Sequence, residues 1–336
     1  MQRYLNRIFV FILTHIFAIY TCASTSPPQA SVERFKNQEL IPKRYVAQLL
    51  ISCKTYFESL PSLLEINLPE DVEGSKITVC GDTHGQFYDV MNIFNMNGFP
   101  SEENPYLFNG DFVDRGSFSV EVILTYLLIK ISSPNGIHLL RGNHETKNMN
   151  RIYGFMGEVL HKYDKDIFSL FLEVFNVLPL AAVIGGKVFV THGGIPCTPG
   201  VTLDDIRSIE RGCEPPDSGL MSDLLWSDPQ PFPGKSPSKR GIGWSFGPDI
   251  TSAFLESNGL DLLVRSHEVK DEGYLIEHGG KTMTIFSAPN YCDQMGNKGA
   301  FIHFESDLLP TFHQYDAVSH PPIRPMAYAA GMGGLY

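Results

Sequence analysis

The chain has 336 residues, of which 43% are hydrophobic and 19% charged, with a formal net charge of −11. That length and composition suit a globular protein able to bury one large core or two small ones, and exclude wholesale disorder. The acidic balance argues against a nucleic-acid partner, which normally leaves a basic footprint. Six scattered cysteines, with no CxxC and no zinc-finger spacing, fit free thiols in a reduced protein.

Residues 1–23 begin with Arg3 and Arg7, followed by an apolar run from Ile8 to Tyr20 and then the small residues Thr21, Cys22 and Ala23. This hydrophobic N-terminal segment matches a secretory signal peptide better than a spanning helix, which needs about 20 apolar residues. The chain carries no Asn-x-Ser/Thr sequon, which a eukaryotic secretory route often brings. Two locations therefore stay open: secretory or membrane-targeted if the segment is a signal, cytoplasmic or nuclear otherwise. A polar linker is expected over residues 24–31, a single domain without a membrane span over 32–328, and a flexible tail over 329–336, where Gly331-Met-Gly-Gly334 disfavours a helix.

From about Val32 to Leu64 the three- and four-residue spacing of Val46, Leu49, Leu50, Cys53 and Phe57 predicts helix. A turn region follows from Pro69 to Ser75. Short strands are then predicted at Lys76–Cys80, Tyr106–Phe108 and Gly136–Leu140, separated by helices at Phe87–Asn97 and Ser119–Ile131. A mostly helical stretch runs from Met149 to Val177. Further strands are expected at Lys187–Thr191 and Asp261–Arg265. The runs Thr282–Ser287, Ala300–Phe304 and Thr311–Tyr315 read as adjacent strands of an antiparallel portion. Strand, polar loop and helix in succession argue for an α/β fold.

Five strands end on polar blocks: Gly81-Asp-Thr-His-Gly85, Gly110-Asp-Phe-Val-Asp-Arg-Gly116, Gly142-Asn-His-Glu145, Thr191-His-Gly-Gly194 and Arg265-Ser-His-Glu268. Open α/β sheets gather ligands at the carboxyl ends of their strands, so one rim can hold all five. Asp82, His84, Asp111, Asn143, His192 and His267 supply carboxylate, imidazole and amide donors, a mixture that suits iron, zinc or manganese better than calcium. A two-metal site with about 3.5–4 Å between ions needs a shared carboxylate, and Asp111, in the middle block, is the natural bridge. Each residue alone has an ordinary structural explanation as a turn, a cap or a hydrogen-bonded histidine. Their joint occurrence at five strand ends implies metal-dependent phosphoester hydrolysis. An alkoxide leaving group also needs a proton, which His144 can give, with Asp114 fixing its tautomer. Arg115, Arg141 and Arg240 are candidates to clamp phosphoryl oxygens, because guanidinium offers planar paired donors.

At these residues the chain resembles the phosphoprotein phosphatase family of serine/threonine phosphatases. GDTHG, GDFVDRG, LLRGNHE, HGG, RSHE and SAPNYC carry the resemblance, which covers about Val32 to Tyr328. Finer detail, Tyr153-Gly-Phe, Ser238-Lys-Arg-Gly241 and Cys292-Asp-Gln-Met-Gly-Asn-Lys298, is most similar to the type 5 catalytic domain. The resemblance implies a calcineurin-like metallophosphoesterase fold, a central β-sandwich of mixed sheets flanked by helices. It implies two divalent or trivalent metal ions, with manganese supporting activity in vitro and iron or zinc as native alternatives. One ion falls to Asp82, His84 and Asp111, the other to Asp111, Asn143, His192 and His267. His144 becomes the acid with Asp114 behind it, Arg115 and Arg240 bind phosphate with Arg141 close by, and Tyr291 lines the site. Phosphoprotein substrates would be hydrolysed at phosphoserine and phosphothreonine by a hydroxide that the metals activate. The tetratricopeptide-repeat region typical of type 5 members is read as missing, so chaperone docking and the family's autoinhibition are not expected. The alternative is a metallophosphoesterase of nucleotides or other small phosphates, since the first three blocks are shared more widely.

Overall fold

A computed structural model describes residues 26–68 and 74–329. The signal-like segment and residues 330–336 of the expected tail lie outside the described residues. Pro27 holds the fixed φ suited to a first helical turn and starts helix α1 (Pro27–Lys36), which buries Val32 and Phe35. The polar linker expected over residues 24–31 is therefore helical from Pro27. Its two apolar residues need cover, and they find it in the same core as the Ser119–Ser132 helix. Helix α2 (Lys43–Glu58) presents Val46, Leu49, Leu50, Cys53 and Phe57 to that core, as their spacing predicts. The expected helix does not continue to Leu64: Ser59 to Ser62 turn the chain, and Leu63–Ile66 forms strand β1.

Two mixed sheets lie face to face. In the five-stranded one, β2 (Lys76–Cys80), β3 (Tyr106–Phe108) and β4 (Ile137–Leu139) run parallel, joined by α3 (Phe87–Asn97) and α4 (Ser119–Ser132). Strand β13 (Gly299–Glu305) pairs antiparallel with β2, and β14 (Pro310–Tyr315) with β13. The six-stranded sheet has the order β1, β5 (Ala181–Ile184), β6 (Val188–Thr191), β10 (Leu262–Arg265), β12 (Thr282–Ile285) and β11 (Tyr274–Glu277). A small third sheet, β7 (Asp228–Pro229), β8 (Lys235–Pro237) and β9 (Trp244–Phe246), sits beside the rim. The expected grouping of three late strands is corrected: β12 belongs to the six-stranded sheet, parallel to β10, and only β13 and β14 are neighbours. Thirteen residues separate β12 from β13, enough for the chain to cross between sheets, and Asn290, Cys292 and Asp293 there adopt positive φ.

The side-chain pattern explains the sandwich. In β2, Ile77 and Val79 point between the sheets while Cys80 faces the helices. In β3, Leu107 points inward while Tyr106 and Phe108 meet α3 and α4. Val188, Val190, Val264 and Ile285 fill the gap from the opposite sheet. With both faces covered, these strands read as continuous apolar runs rather than alternating ones. The stretch from Met149 to Val177 is three helices, α5 (Lys147–Tyr153), α6 (Phe155–Lys162) and α7 (Lys165–Asn176). Gly154 at φ 122° breaks the first pair, and Asp164 caps α7 by accepting from the Asp166 and Ile167 amides. Short helices α8 (Leu203–Arg207), α9 (Leu220–Trp226) and α10 (Pro248–Ser257) cover the outer face of the six-stranded sheet. Cys53, Cys80, Cys197, Cys213 and Cys292 are free thiols. Among the described residues no helix is long and apolar enough to cross a membrane.

Candidate metal centre and active site

The carboxyl ends of β2, β3 and β4 from one sheet, and of β6 and β10 from the other, open on the same rim. Asp82, Asp111 and Asn143 arrive from the first sheet, His192 and His267 from the second. All are buried. The close approach that this needs is made by glycines. A Cβ at Gly142 would stand 2.2 Å from Asp111 Oδ1, and one at Gly110 would stand 2.5 Å from the Gly142 Cα. His84, Asp111, Asp114, Arg115 and His267 all adopt positive φ, a concentration of backbone strain of the kind found at functional sites.

Hydrogen bonds fix which atoms face the centre. His84 Nδ1 lies 2.9 Å from the Val113 carbonyl and His192 Nδ1 2.8 Å from the Asn109 carbonyl. Each ring therefore donates outward and turns the Nε2 lone pair inward, the arrangement metal-ligating histidines require. Asp111 Oδ1 accepts the His144 amide at 2.8 Å, leaving Oδ2 at 3.3 Å from His192 Nε2 and 3.5 Å from His84 Nε2. Asp82 Oδ1 accepts the His267 amide at 3.1 Å, and Oδ2 lies 3.6 Å from His84 Nε2. Two groups of three side chains are close enough to hold an ion: His84, Asp111 and His144, and Asp111, His192 and His267. Asp111 belongs to both.

The donor set fits cations. Asn143 Oδ1 lies 2.9 Å from His192 Nε2, which is itself 3.2 Å from His267 Nδ1. Lone pairs facing one another at such distances repel unless a proton or a cation lies between them. A proton on His192 Nε2 would satisfy the Asn143 oxygen; turned over, the amide would instead donate its N–H to His192, His267 and Asp111, and a bound cation would take the place of that proton. Burial opposes a charge on His192, yet the Asp111 and Asp82 carboxylates push its imidazole up to about 9. His84 is shifted upward by the same two carboxylates, again against burial. A metal must displace such protons. Manganese uptake by the metal-free protein is thus expected to release protons, and its affinity to fall about tenfold per pH unit per proton displaced as pH drops from 9 toward 7. Calorimetric titration in two buffers of different ionisation enthalpy measures both quantities.

His144 Nδ1 lies 2.8 Å from Asp114 Oδ2. Asp114 is fully buried and also accepts from Asn150 Nδ2 at 3.0 Å and from the Phe155 amide at 2.9 Å. Its geometry is over-determined, and it can hold the His144 ring in one tautomer. Arg115 and Arg240 reach the rim. Arg240 Nε donates to Asp228 Oδ2 at 2.6 Å and Nη2 to the His267 carbonyl at 3.2 Å. The Tyr291 ring lies 5.1 Å from the His84 ring. Arg141 is different. Its side chain is fully buried, with Nε donating to the Glu145 carbonyl, Nη1 to the Cys213 carbonyl and Nη2 to Asn176 Oδ1. Expected as a phosphate clamp, it is instead a tie beneath the rim, because three acceptors of the protein already claim its donors. Arg141→Met should leave buried acceptors unpaired and cost roughly 3 kcal/mol of stability, read as a lower Tm, while KM stays unchanged.

Some contributors were not singled out from the sequence. Glu145 accepts from the Asp111, Phe112 and Gly142 amides, each at 2.8 Å, and so locks β3's loop to β4's. Its place inside the third block was the available signal. Asn109 Nδ2 donates to the Thr191 carbonyl and to Ser266 Oγ, joining the two sheets beneath the centre. Asp228 pairs with Arg240 and Arg265 together, from a strand with no apolar pattern to announce it.

The calcineurin-like phosphoesterase profile matches residues 75–271, more than half of the chain and all five ligand blocks. The chain belongs to that family. Serine/threonine-protein phosphatase 5 of Arabidopsis thaliana is 62% identical over 299 residues, covering 89% of this chain and 55% of that protein. Serine/threonine-protein phosphatase 5 of Homo sapiens is 61% identical over 296 residues, covering 88% and 59%. A solved protein serine/threonine phosphatase from Saccharomyces cerevisiae shares 46% identity at a TM-score of 0.84, over 88% of this chain and 96% of that one. The chain thus spans little more than half the length of the curated relatives named. A second profile, the PPP5 TPR repeat region, matches residues 29–65. The reading of that region as missing is therefore not fully borne out, and the setting aside of chaperone docking, which rested on it, is weakened. The matched residues form most of α1, all of α2 and most of β1; the two helices pack into the main core, while Leu63 and Leu64 of β1 pack on either side of the six-stranded sheet.

Proposed function

We propose that the chain is a metal-dependent protein serine/threonine phosphatase, with Asp82, His84, Asp111, Asn143, His192 and His267 holding two ions. The observation that carries this reading is the His144–Asp114 pair at 2.8 Å, placed against the donor cluster through the His84 ring at 4.7 Å. Bound metals would lower the pKa of water and neutralise phosphoryl charge. The chain's own residues do the rest. Arg115 and Arg240 present guanidinium donors to phosphoryl oxygens, Tyr291 walls the site, and Asp114 accepts a hydrogen bond from the His144 Nδ1–H, which stays on the ring. The imidazolium of His144 gives its Nε2 proton to the departing serine or threonine oxygen and is left neutral. The likeness to the serine/threonine phosphatases named above supports protein substrates over small phosphate esters. Iron, zinc and manganese all suit the donor set. Turnover in manganese buffer should be much faster on a phosphoserine peptide than on a dinucleotide. Faster dinucleotide turnover would overturn the substrate class.

A further inference from the structure

The two rim arginines are held in different ways. Arg240 reaches the rim with a carboxylate, Asp228, on its guanidinium. Among the described residues no carboxylate pairs with Arg115, and its buried Nε has no hydrogen-bond partner. What holds it is Tyr153. The guanidinium carbon lies 3.9 Å from the centre of the Tyr153 ring, and the Arg115 amide donates to the Tyr153 carbonyl at 2.9 Å. The same ring lies 5.2 Å from the His144 ring. Two residues on, the Phe155 amide donates to Asp114 Oδ1 at 2.9 Å. The junction of α5 and α6 thus touches Asp114, Arg115 and His144 together. Gly154 makes the junction possible, because its φ of 122° is a conformation other residues rarely adopt.

We propose that Tyr153 is a positioning residue for phosphate recognition: its ring face orients the Arg115 guanidinium toward the phosphoryl group without consuming its charge or its donors. The chemistry favours an aromatic here. A carboxylate partner would fix Arg115 equally well, but would occupy its N–H groups and cancel the charge an anion needs. An aromatic face attracts the flat of the guanidinium and leaves the in-plane N–H groups free. Arg115 also adopts positive φ, one of several strained backbone positions at this rim. The pair of arginines then divides the work. Asp228 anchors Arg240 with a negative charge beside it, and Tyr153 holds Arg115 with no carboxylate against its guanidinium.

This inference rests on the proposal that Arg115 binds the phosphoryl group, and the experiment separates the two. The probe is inorganic phosphate as a competitive inhibitor of the manganese-loaded enzyme, measured beside KM and kcat for a phosphoserine peptide. Tyr153→Leu should raise the phosphate inhibition constant and KM by about five- to thirtyfold, with Tm and manganese content close to those of the unmodified enzyme. Tyr153→Phe, which keeps the ring face, should stay within about threefold. Tyr153→Met serves as a second non-aromatic variant should the leucine variant fold poorly. In an Arg115→Met background, Tyr153→Leu should add almost nothing. A Tyr153→Leu enzyme with unchanged phosphate inhibition, alongside a weakened Arg115→Met enzyme, would overturn the positioning role alone. Unchanged inhibition in Arg115→Met would overturn the phosphate role of Arg115 and this inference with it.

Discussion

Replacing His144 with Asn is expected to lower kcat on a phosphoserine peptide by about 10²–10⁴-fold, the range typical of a lost general acid, while both metals stay bound. Asn keeps the main-chain amide that donates to Asp111 Oδ1, so the strand-end scaffold is preserved. It cannot carry the proton that Asp114 orients. Geometry alone leaves a competitor, since His144 also stands with His84 and Asp111 in a group able to hold an ion. Metal content decides between them. Two equivalents of manganese in the variant, measured by elemental analysis after gel filtration, support the acid. Loss of one equivalent would make His144 a ligand.

Asp111→Asn should weaken both sites at once. Residues that merely orient a metal ligand typically cost 10–100-fold in affinity when changed, so loss of a shared carboxylate should exceed about 100-fold at each position. The variant removes one negative charge from a cluster in which Asp111 is held well below the usual carboxylate range; burial opposes this, and the neighbouring imidazoles, His192 foremost, bring it about. Calorimetric titration with manganese should show neither high-affinity step. Persistence of one step would refute the bridge.

The candidate site was largely legible because its chemistry sits at the ends of short apolar strands. Lys76–Cys80 leads to Asp82, Tyr106–Phe108 to Asp111, and Val188–Thr191 to His192. In each case an apolar run followed by Gly, Asp or His cannot be explained by packing alone. Direction was not legible. Arg115 and Arg141 both touch ligand blocks in sequence, yet Arg141 turns inward to meet acceptors from Glu145, Asn176 and Cys213, and no local pattern foretells partners so distant. Strand β1 was hidden because Leu63–Ile66 extends the apolar spacing of the preceding helix. The 228–246 sheet was hidden because its strands are two or three residues long and partly exposed. The separation of β12 from β13 into different sheets depends on a crossover whose backbone, at Asn290 and Cys292, only tertiary contacts determine. Tyr153 stood in a motif noted for its likeness to relatives, but its reach to Arg115 and His144 depends on the turn at Gly154.

The central claim, that His144 protonates the leaving oxygen at a two-metal centre, is tested most directly by the leaving-group dependence of its loss. A phosphoserine ester must expel a strongly basic alkoxide, whereas p-nitrophenyl phosphate expels a weakly basic phenolate that needs little protonation. His144→Asn and the unmodified enzyme, both with full manganese content, should be compared on the two substrates. The expected result is a loss in kcat at least about tenfold larger on the phosphoserine peptide than on the aryl ester. Equal losses on both would contradict the account.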